Sequence, residues 1–328
     1  MELMEYFIQR ASLQPKRIVF PESNDERILK TAELILQRHI AHPILIGDDS
    51  AVREQSRQLG INLDGVNVIS PVDSPQFGDY VARYCAQRDN VTEKIAEKLL
   101  KKPLLFGAMM VAQGDADGVV CGVAHATASV IQAASLTVGF APGVSNPSSL
   151  FIMVVPEFLG ERDKIFVFAD CAVTIKPTAE QLAEIAIVTG RNVRRLLQIE
   201  PKIAMLSFST KGSASHEEAD KVIRATELAR QMAPELAIDG ELQADAAIVP
   251  RVAQKKVKES PVAGQCNVLI FPDLNSGNIA YKLVQYLGKA KAFGPFLQGF
   301  AKPVSDLSRG ASVEDIVGVT AVTAVQAQ

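Results

Sequence analysis

Short apolar runs alternate along this chain with longer segments of helical period. Seven runs read as strands: Arg17–Phe20, Pro43–Gly47, Val66–Ser70, Gly118–Cys121, Ile165–Asp170, Ile203–Phe208 and Val268–Phe271. Most are apolar throughout rather than alternating, the pattern of strands covered on both faces of a parallel sheet. Between them, Asn24-Asp25-Glu26 opens a helix that continues through Ile28, Leu29, Ala32, Leu34 and Ile35, with Asp25 as its N-cap. Further helices are predicted over Thr92–Leu100, Thr178–Ile187 and Glu217–Met232, the last charged, amphipathic and closed by Pro234. Strand and helix in this rhythm give an α/β fold with mostly parallel sheets.

At 328 residues the chain exceeds what one hydrophobic core usually fills, so two domains are expected. The sequence PGVSNPSS at Pro142–Ser149 reads as the hinge, and Gly288–Gly299 as a second turn-rich crossing. The C-terminal segment beyond that crossing is too short for a domain and is expected to return to the first. The expected division is a discontinuous first domain, 1–145 plus 293–328, and an inserted second domain, 146–292, in which dimerisation is expected.

Composition narrows the function classes. Apolar residues make up 48% of the chain, charged residues 22%, and the formal net charge is −3. That balance excludes a nucleic-acid partner held by bulk charge but leaves room for a local basic pocket. The four cysteines form no CxxC pair and the four histidines show no metal-ligand spacing, so no metal is expected. The N-terminus, Met1-Glu2-Leu3-Met4-Glu5, is acidic and reads as no signal peptide; no run of 18 apolar residues suggests a membrane span. A cytoplasmic protein is the expectation.

The usual glycine-rich dinucleotide and triphosphate loops and the GxSxG elbow are absent. Polar clusters stand instead at the ends of apolar strands, where open α/β sheets hold ligands. Ser207-Phe208-Ser209-Thr210-Lys211-Gly212-Ser213 could cradle an anion, or could be an ordinary strand-to-helix turn. Asp239-Gly240-Glu241 with Asp245 reads as a site, as a charged helix face, or as a loop before a helix start. Phe271–Lys282 predicts a turn and then a helix that puts Asn278 and Lys282 on one face, where the lysine either meets substrate or is solvated. The richest cluster is Lys302–Asp315. Gly310 is expected to allow an unusual backbone turn beside Arg309. Ser312 and Asp315 form a capping-box pattern, so Asp315 is either the N3 carboxylate of a capped helix or a base beside an anion clamp made with Ser308 and Arg309.

Taken together, these segments resemble the phosphate acetyltransferases (phosphotransacetylases). The matching stretches are Asp117–Gly122 with His125-Ala126-Thr127-Ala128, Phe168–Val173, MLSFSTKGSA at 205–214, DGELQADAA at 239–247, FPDLNSGNIAYK at 271–282 and GPFLQGFAKPVSDLSRGASVEDIV at 294–317. Residues 1–105 match more loosely, mainly at Val19-Phe20-Pro21-Glu22. Phosphate butyryltransferase shares the fold and chemistry with a longer acyl chain. The resemblance implies two α/β domains like those of isocitrate and isopropylmalate dehydrogenases, an active site in the cleft between them, and a homodimer. It implies reversible acetyl transfer between acetyl-CoA and inorganic phosphate, with coenzyme A as substrate and no cofactor. Carried onto this chain, the catalytic residues are Ser308, Arg309 and Asp315. Arg88 aligns with an arginine used for coenzyme A, and Thr127, Ser207, Ser209, Thr210, Lys211, Asn278, Tyr281 and Lys282 are expected to bind substrate. Two positions depart from the family: Gln132 stands where an arginine is usual, and Ala126 where a serine is usual. Glutamine cannot pair with a phosphate as arginine does.

The chemistry then assigns roles. A thiol with a pKa near 8.5 is mostly protonated at neutral pH, so a carboxylate, Asp315, takes the proton. Arg309 offers a planar fork to the leaving phosphate, and Ser308 a donor to the carbonyl oxygen. A covalent route through Cys121 or Cys171 is the alternative. A CoA-thioester sensor and a decarboxylating dehydrogenase are the readings from other classes. The first sits poorly with an intact Ser308, Arg309 and Asp315, and the second lacks a recognisable nicotinamide loop and metal-binding aspartates.

Overall fold

The computed structural model describes residues 2–328. Contacts divide the chain into two units, Met1–Ala141 with Phe300–Gln328, and Pro142–Gly299.

In chain order the first unit contributes α1 (Leu3–Leu13), β1 (Lys16–Phe20), α2 (Glu26–Gln37), β2 (Ala41–Ile46), α3 (Asp49–Leu59), β3 (Asn67–Ile69), α4 (Phe77–Ala86), α5 (Glu93–Leu100), α6 (Pro103–Gln113), β4 (Gly118–Cys121) and α7 (Thr127–Thr137). The second unit contains β5 (Ser148–Phe158), β6 (Glu161–Ala169), α8 (Ala179–Leu197), β7 (Lys202–Leu206), α9 (Glu217–Met232), β8 (Ala237–Leu242), α10 (Ala244–Ile248), α11 (Pro250–Lys256), β9 (Val268–Ile270), α12 (Leu274–Leu287) and β10 (Lys291–Gln298). The chain then returns to the first unit as β11 (Val304–Asp306) and α13 (Val313–Gln326).

The first unit is built on a five-stranded sheet, β11-β4-β1-β2-β3, parallel at every pairing. Its central strands are apolar because helices cover both faces. On β1, Ile18, Val19 and Phe20 are fully buried. Helix α13 packs against α1, α2, β1 and β4, and α6 against α5, α7, β1 and β4. Both helices are accordingly apolar nearly all round. Helix α2 starts where expected: the Asp25 side chain accepts from the Arg27 N–H, and Ile28, Leu29, Ala32 and Ile35 are buried.

The second unit holds a six-stranded sheet, β10-β5-β6-β9-β7-β8. The pairs β6–β9, β9–β7 and β7–β8 are parallel, while β10–β5 and β5–β6 are antiparallel. The β5–β6 hairpin closes on Leu159 and Gly160, both at positive φ (51° and 84°), as a two-residue turn between right-twisted strands requires. Helix α8 opens with a capping box, Thr178 and Gln181 bonding each other's backbone, and runs a further ten residues beyond the predicted Ile187 to Leu197.

Three expectations need correction. The segments 142–145 and 293–299, assigned to the first domain, belong to the second unit, the latter because β10 pairs with β5. Its Gly294-Pro295 looked like a turn; it falls at the register shift between Phe293 and Phe296, on an edge strand where a missing N–H is tolerated. The Asp239–Glu241 stretch is not a loop but part of β8, and both carboxylates are buried.

Candidate functional site

In the first unit β1, β2 and β3 step outward in order, and β4 and β11 lie on the other side of β1. Strand order thus reverses between β1 and β4. Loops leaving the carboxyl ends of two such strands diverge and open a crevice, the general ligand position in open parallel sheets. Three loops meet there: Pro21–Asp25 after β1, Gly122–Ala126 after β4, and Leu307–Ser312 after β11.

Glu22 organises the first two. Its buried carboxylate accepts four main-chain N–H groups in succession, from Gly122 (2.8 Å), Val123 (3.0 Å), Ala124 (2.8 Å) and His125 (3.0 Å). His125 Nδ1 lies 2.6 Å from the same carboxylate. Successive N–H groups pointing one way make an anion-binding concavity, and here the protein supplies the anion itself. The curl starts at Gly122, φ +115°, where an added Cβ would lie 2.5 Å from Asp306 Oδ1 and 2.6 Å from the Leu307 N. Only glycine fits.

Asp306 ends β11 beside this loop. Its Oδ2 accepts from Thr127 Oγ1 at 2.5 Å, and its buried Oδ1 has no hydrogen-bond partner. Burial pushes the carboxyl up to about 6; the Thr127 hydrogen bond pulls the other way, and the Glu22 charge adds to the rise. Thr127 itself is exposed at the first turn of α7. The N-cap of that helix is Ala126, which has no side chain to bond its free N–H groups.

The three residues expected to be catalytic follow β11. Ser308 and Arg309 are exposed, and the Arg309 guanidinium has no ion-pair partner among the described residues. Ser308 Oγ accepts from the Gly310 N–H (3.2 Å), and the Ser308 carbonyl from the Ala311 N–H (2.9 Å). Those bonds shape the turn, and Gly310 stays outside the left-handed region, contrary to expectation. Asp315 is exposed at N3 of α13, where its Oδ2 accepts from the Ser312 N–H and Oγ–H, both at 2.9 Å, while Ser312 caps the Asp315 N–H. The capping half of the Asp315 reading is therefore present in the structure. One carboxylate oxygen remains outside it.

Arg88 lies elsewhere in the unit. Its guanidinium covers the Tyr84 ring at 4.0 Å and donates to the Tyr84 and Leu136 carbonyls. Leu136 is at the far end of α7 from Thr127, about 14 Å away at roughly 1.5 Å per residue. Gln132 is exposed on the same helix.

In the second unit, strand order reverses between β9 and β7, and the remaining predicted residues cluster at those strand ends. Ser207 follows β7 and its Oγ accepts from the Ser209 N–H at 3.2 Å. With Phe208, His216, Glu218, Pro272 and Asp273 it lines a pocket of about 270 Å³. Ser209, Thr210 and Lys211 already have partners. Ser209 Oγ donates to Glu241 (2.9 Å), Thr210 Oγ1 pairs with Gln243 (3.3 Å), and Lys211 Nζ reaches Asp239 at 2.5 Å. The anion in this turn is again the protein's own, since Glu241 also accepts from the Gly212 N–H. On α12, Asn278 donates to the Cys171 carbonyl (3.0 Å), Tyr281 stacks on Phe151 (4.2 Å between centroids), and Lys282 is exposed. Helix α12 can approach this closely because residue 277 is glycine; a Cβ there would sit 2.3 Å from the Asp170 carbonyl oxygen.

The two thiols offered as nucleophiles, Cys121 and Cys171, are poor ones. Cys121 and Cys171 are buried, and burial, reinforced by neighbouring carboxylates, raises both well above the usual thiol range. Among the described residues no group of three His, Cys, Asp or Glu side chains could hold a metal ion, and no helix is long and apolar enough to cross a membrane.

Glu22, Arg27 and Asp306 escaped the sequence reading as site residues. Glu22 was visible only as part of a loose motif, and the contacts of all three bridge segments roughly 100 to 280 positions apart.

Comparison with known proteins fits this geometry. A sequence model of the family described as phosphate acetyl/butaryl transferase matches residues 2–324. The phosphate acetyltransferase of Acetivibrio thermocellus is 48% identical over 330 aligned positions, covering 100% of this chain and 99% of that protein. The crystal structure of a phosphotransacetylase from Streptococcus pyogenes superposes with a TM-score of 0.92 at 42% identity, covering 99% of this chain and 98% of that one. A 4-hydroxythreonine-4-phosphate dehydrogenase from Salmonella typhimurium, 13% identical with a TM-score of 0.53 over 96% of this chain and 100% of that one, shares the fold alone. With its motifs, its sheet topology and these full-length similarities in agreement, this chain is an enzyme of the phosphate acetyl/butyryl transferase family.

Proposed function

We propose that this protein is a phosphate acetyltransferase that moves an acetyl group reversibly between coenzyme A and inorganic phosphate by direct transfer in a ternary complex. The observation that carries the proposal is the turn after β11. It presents an unpaired, exposed Arg309 guanidinium next to Ser308 and leads into α13, whose first turn carries the exposed Asp315 carboxylate. In this reading Asp315 takes the thiol proton of coenzyme A, and the sulfur attacks the acetyl carbonyl of acetyl phosphate. The C–S bond forms, the C–O bond to phosphate breaks, and the proton passes to the departing phosphate, so no outside acid or cofactor is consumed. Arg309 neutralises that phosphate, and the Ser308 hydroxyl donates to the carbonyl oxygen. Thr127 adds a hydroxyl to the phosphate side, while Ser207, Asn278, Tyr281 and Lys282 contact coenzyme A. Ser209, Thr210 and Lys211 contribute by shaping their turn, and Arg88 by holding α7. The raised thiol of Cys121 argues against a covalent acyl-cysteine.

The enzyme is further proposed to act as a cytoplasmic homodimer. Helix α12 leaves Ile279, Leu283, Tyr286 and Leu287 exposed on one stripe, Leu287 at 79%, and a second copy would bury it. Sedimentation of a Leu283→Glu/Leu287→Glu variant as a dimer would remove that stripe from the interface.

The activity test is thioester formation from coenzyme A and acetyl, propionyl or butyryl phosphate, followed by ultraviolet absorbance without added metal or NAD. The highest kcat/KM is expected with acetyl phosphate. Failure to form any thioester would sink the reading, and a preference for the butyryl substrate would move the protein to the other branch of its family.

A further inference from the structure

Arg27, the second residue of α2, has a guanidinium whose five N–H groups all find acceptors. Nε and Nη2 hold Asp25 bidentately at 2.9 and 2.7 Å. Nη2 also reaches the Val123 carbonyl at 3.4 Å. Nη1 donates to the carbonyls of Arg309 and Ala311, each at 2.9 Å, on either side of Gly310. One planar group therefore ties together the loops after β1, β4 and β11. Among the described residues no other hydrogen bond from outside the segment reaches residues 308–311; their remaining bonds are local. A Cβ built on Gly310 would meet only Ser308 Oγ, at 3.8 Å.

We infer that Arg27 is a positioning residue for the transfer reaction: it fixes the main chain of the Ser308–Ala311 turn and so sets where the Ser308 hydroxyl and Arg309 guanidinium point. The inference rests on the function proposed above. Two facts separate it from a substrate contact. No N–H of Arg27 is left to donate to a phosphate, and its charge is already matched by Asp25 at 2.7 Å. A lysine would keep the charge but, as a point donor, could not serve three loops at once. Small displacements of a positioned group are costly; about 1 Å can lower a rate roughly 10²-fold.

The test compares wild type, Arg27→Lys and Arg27→Ala by steady-state kinetics and by amide hydrogen exchange read by mass spectrometry. Both variants should lose at least about tenfold in kcat, within threefold of each other, with the KM for acetyl phosphate changed less than threefold. Exchange over residues 307–312 should quicken while exchange in α9 stays unchanged. Retention of half or more of kcat by Arg27→Lys would overturn the inference. So would a defect confined to the KM for acetyl phosphate, which marks a substrate contact, or unaltered exchange at 307–312. If Arg27→Ala does not fold, Arg27→Lys decides by the same readouts. A wild-type enzyme without transferase activity would refute the proposed function, and the exchange comparison would still decide the brace.

Discussion

Asp306→Asn tests the electrostatics of the crevice most directly. Burial raises this carboxyl from its ordinary 3.8 to about 6. Because the folded-state value lies above the unfolded one, the folded protein holds the proton more tightly. Its contribution therefore favours folding below pH 3.8 and is lost as pH rises through about 6. At ~1.4 kcal/mol per pH unit of displacement, ionised Asp306 costs the native state about 3 kcal/mol at pH 7.5 relative to a neutral group. Asparagine is neutral throughout and can still accept from Thr127 Oγ1. It also places an NH2 where the buried Oδ1 now has no partner, which costs about 1 kcal/mol. The variant should thus be about 2 kcal/mol more stable than wild type at pH 7.5, and the two should draw level near pH 4.5, where about 1 kcal/mol of the effect remains. Urea unfolding at stepped pH reads this, followed by far-UV circular dichroism because the chain has no tryptophan. Charges remote from Asp306 are common to both proteins and cancel in the difference. A stability difference that stays flat from pH 4.5 to 7.5, or a less stable variant at pH 7.5, would refute the assignment of a raised carboxyl to Asp306.

Three further outcomes are expected. Asp315→Asn keeps an acceptor for the Ser312 N–H and Oγ–H, so melting should shift by no more than about 1 kcal/mol while turnover falls roughly 10²–10⁴-fold; unchanged turnover would leave Asp315 a helix cap only. Glu22→Gln keeps one oxygen for two of the four N–H groups and turns an amide donor toward the others, so chemical denaturation should show a loss of about 3–5 kcal/mol, and a loss below about 1 kcal/mol would contradict the bonding described. Ala126→Ser adds the missing N-cap to α7 and should stabilise by about 0.5–2 kcal/mol in the same measurement.

Local physics carried much of this fold into the sequence. The Asp25 cap, the helix start at Thr178, the limits of α9 and the Ser312–Asp315 box depend on residues close together in sequence, and each stands where the pattern put it. Most of the seven predicted strands were legible because burial on both faces leaves an unbroken apolar run; β3, at the sheet edge and with no buried residue, is the exception. Of the four strands left unpredicted, β5 does carry an unbroken apolar run, Leu150–Val155, directly behind the turn-rich Pro142–Ser149; the other three lack that signature. β10 carries Gly294-Pro295, which reads as a turn unless one knows that the strand lies at a sheet edge. β11 is three residues long and β8 holds two acids. Asp239 is tolerable inside a strand only because Lys211 and Arg230 reach it from separate segments.

The candidate site divides along the same line. Sequence alone proposed Ser308 and Arg309, in the turn after β11, and Asp315, in the first turn of α13, because their spacing is local and their motifs match a family. What that turn leans on was decided only by tertiary structure. Glu22 accepts N–H groups 100 to 103 residues away, Thr127 meets Asp306 across 179 residues, and Arg27 reaches carbonyls 282 and 284 residues along the chain. Main-chain N–H and C=O groups are the same at every residue, so no side-chain pattern announces which of them a buried glutamate or arginine will bind. That choice follows from the order of strands in a parallel sheet, which sets β11, β4 and β1 side by side and brings their loops within hydrogen-bonding reach.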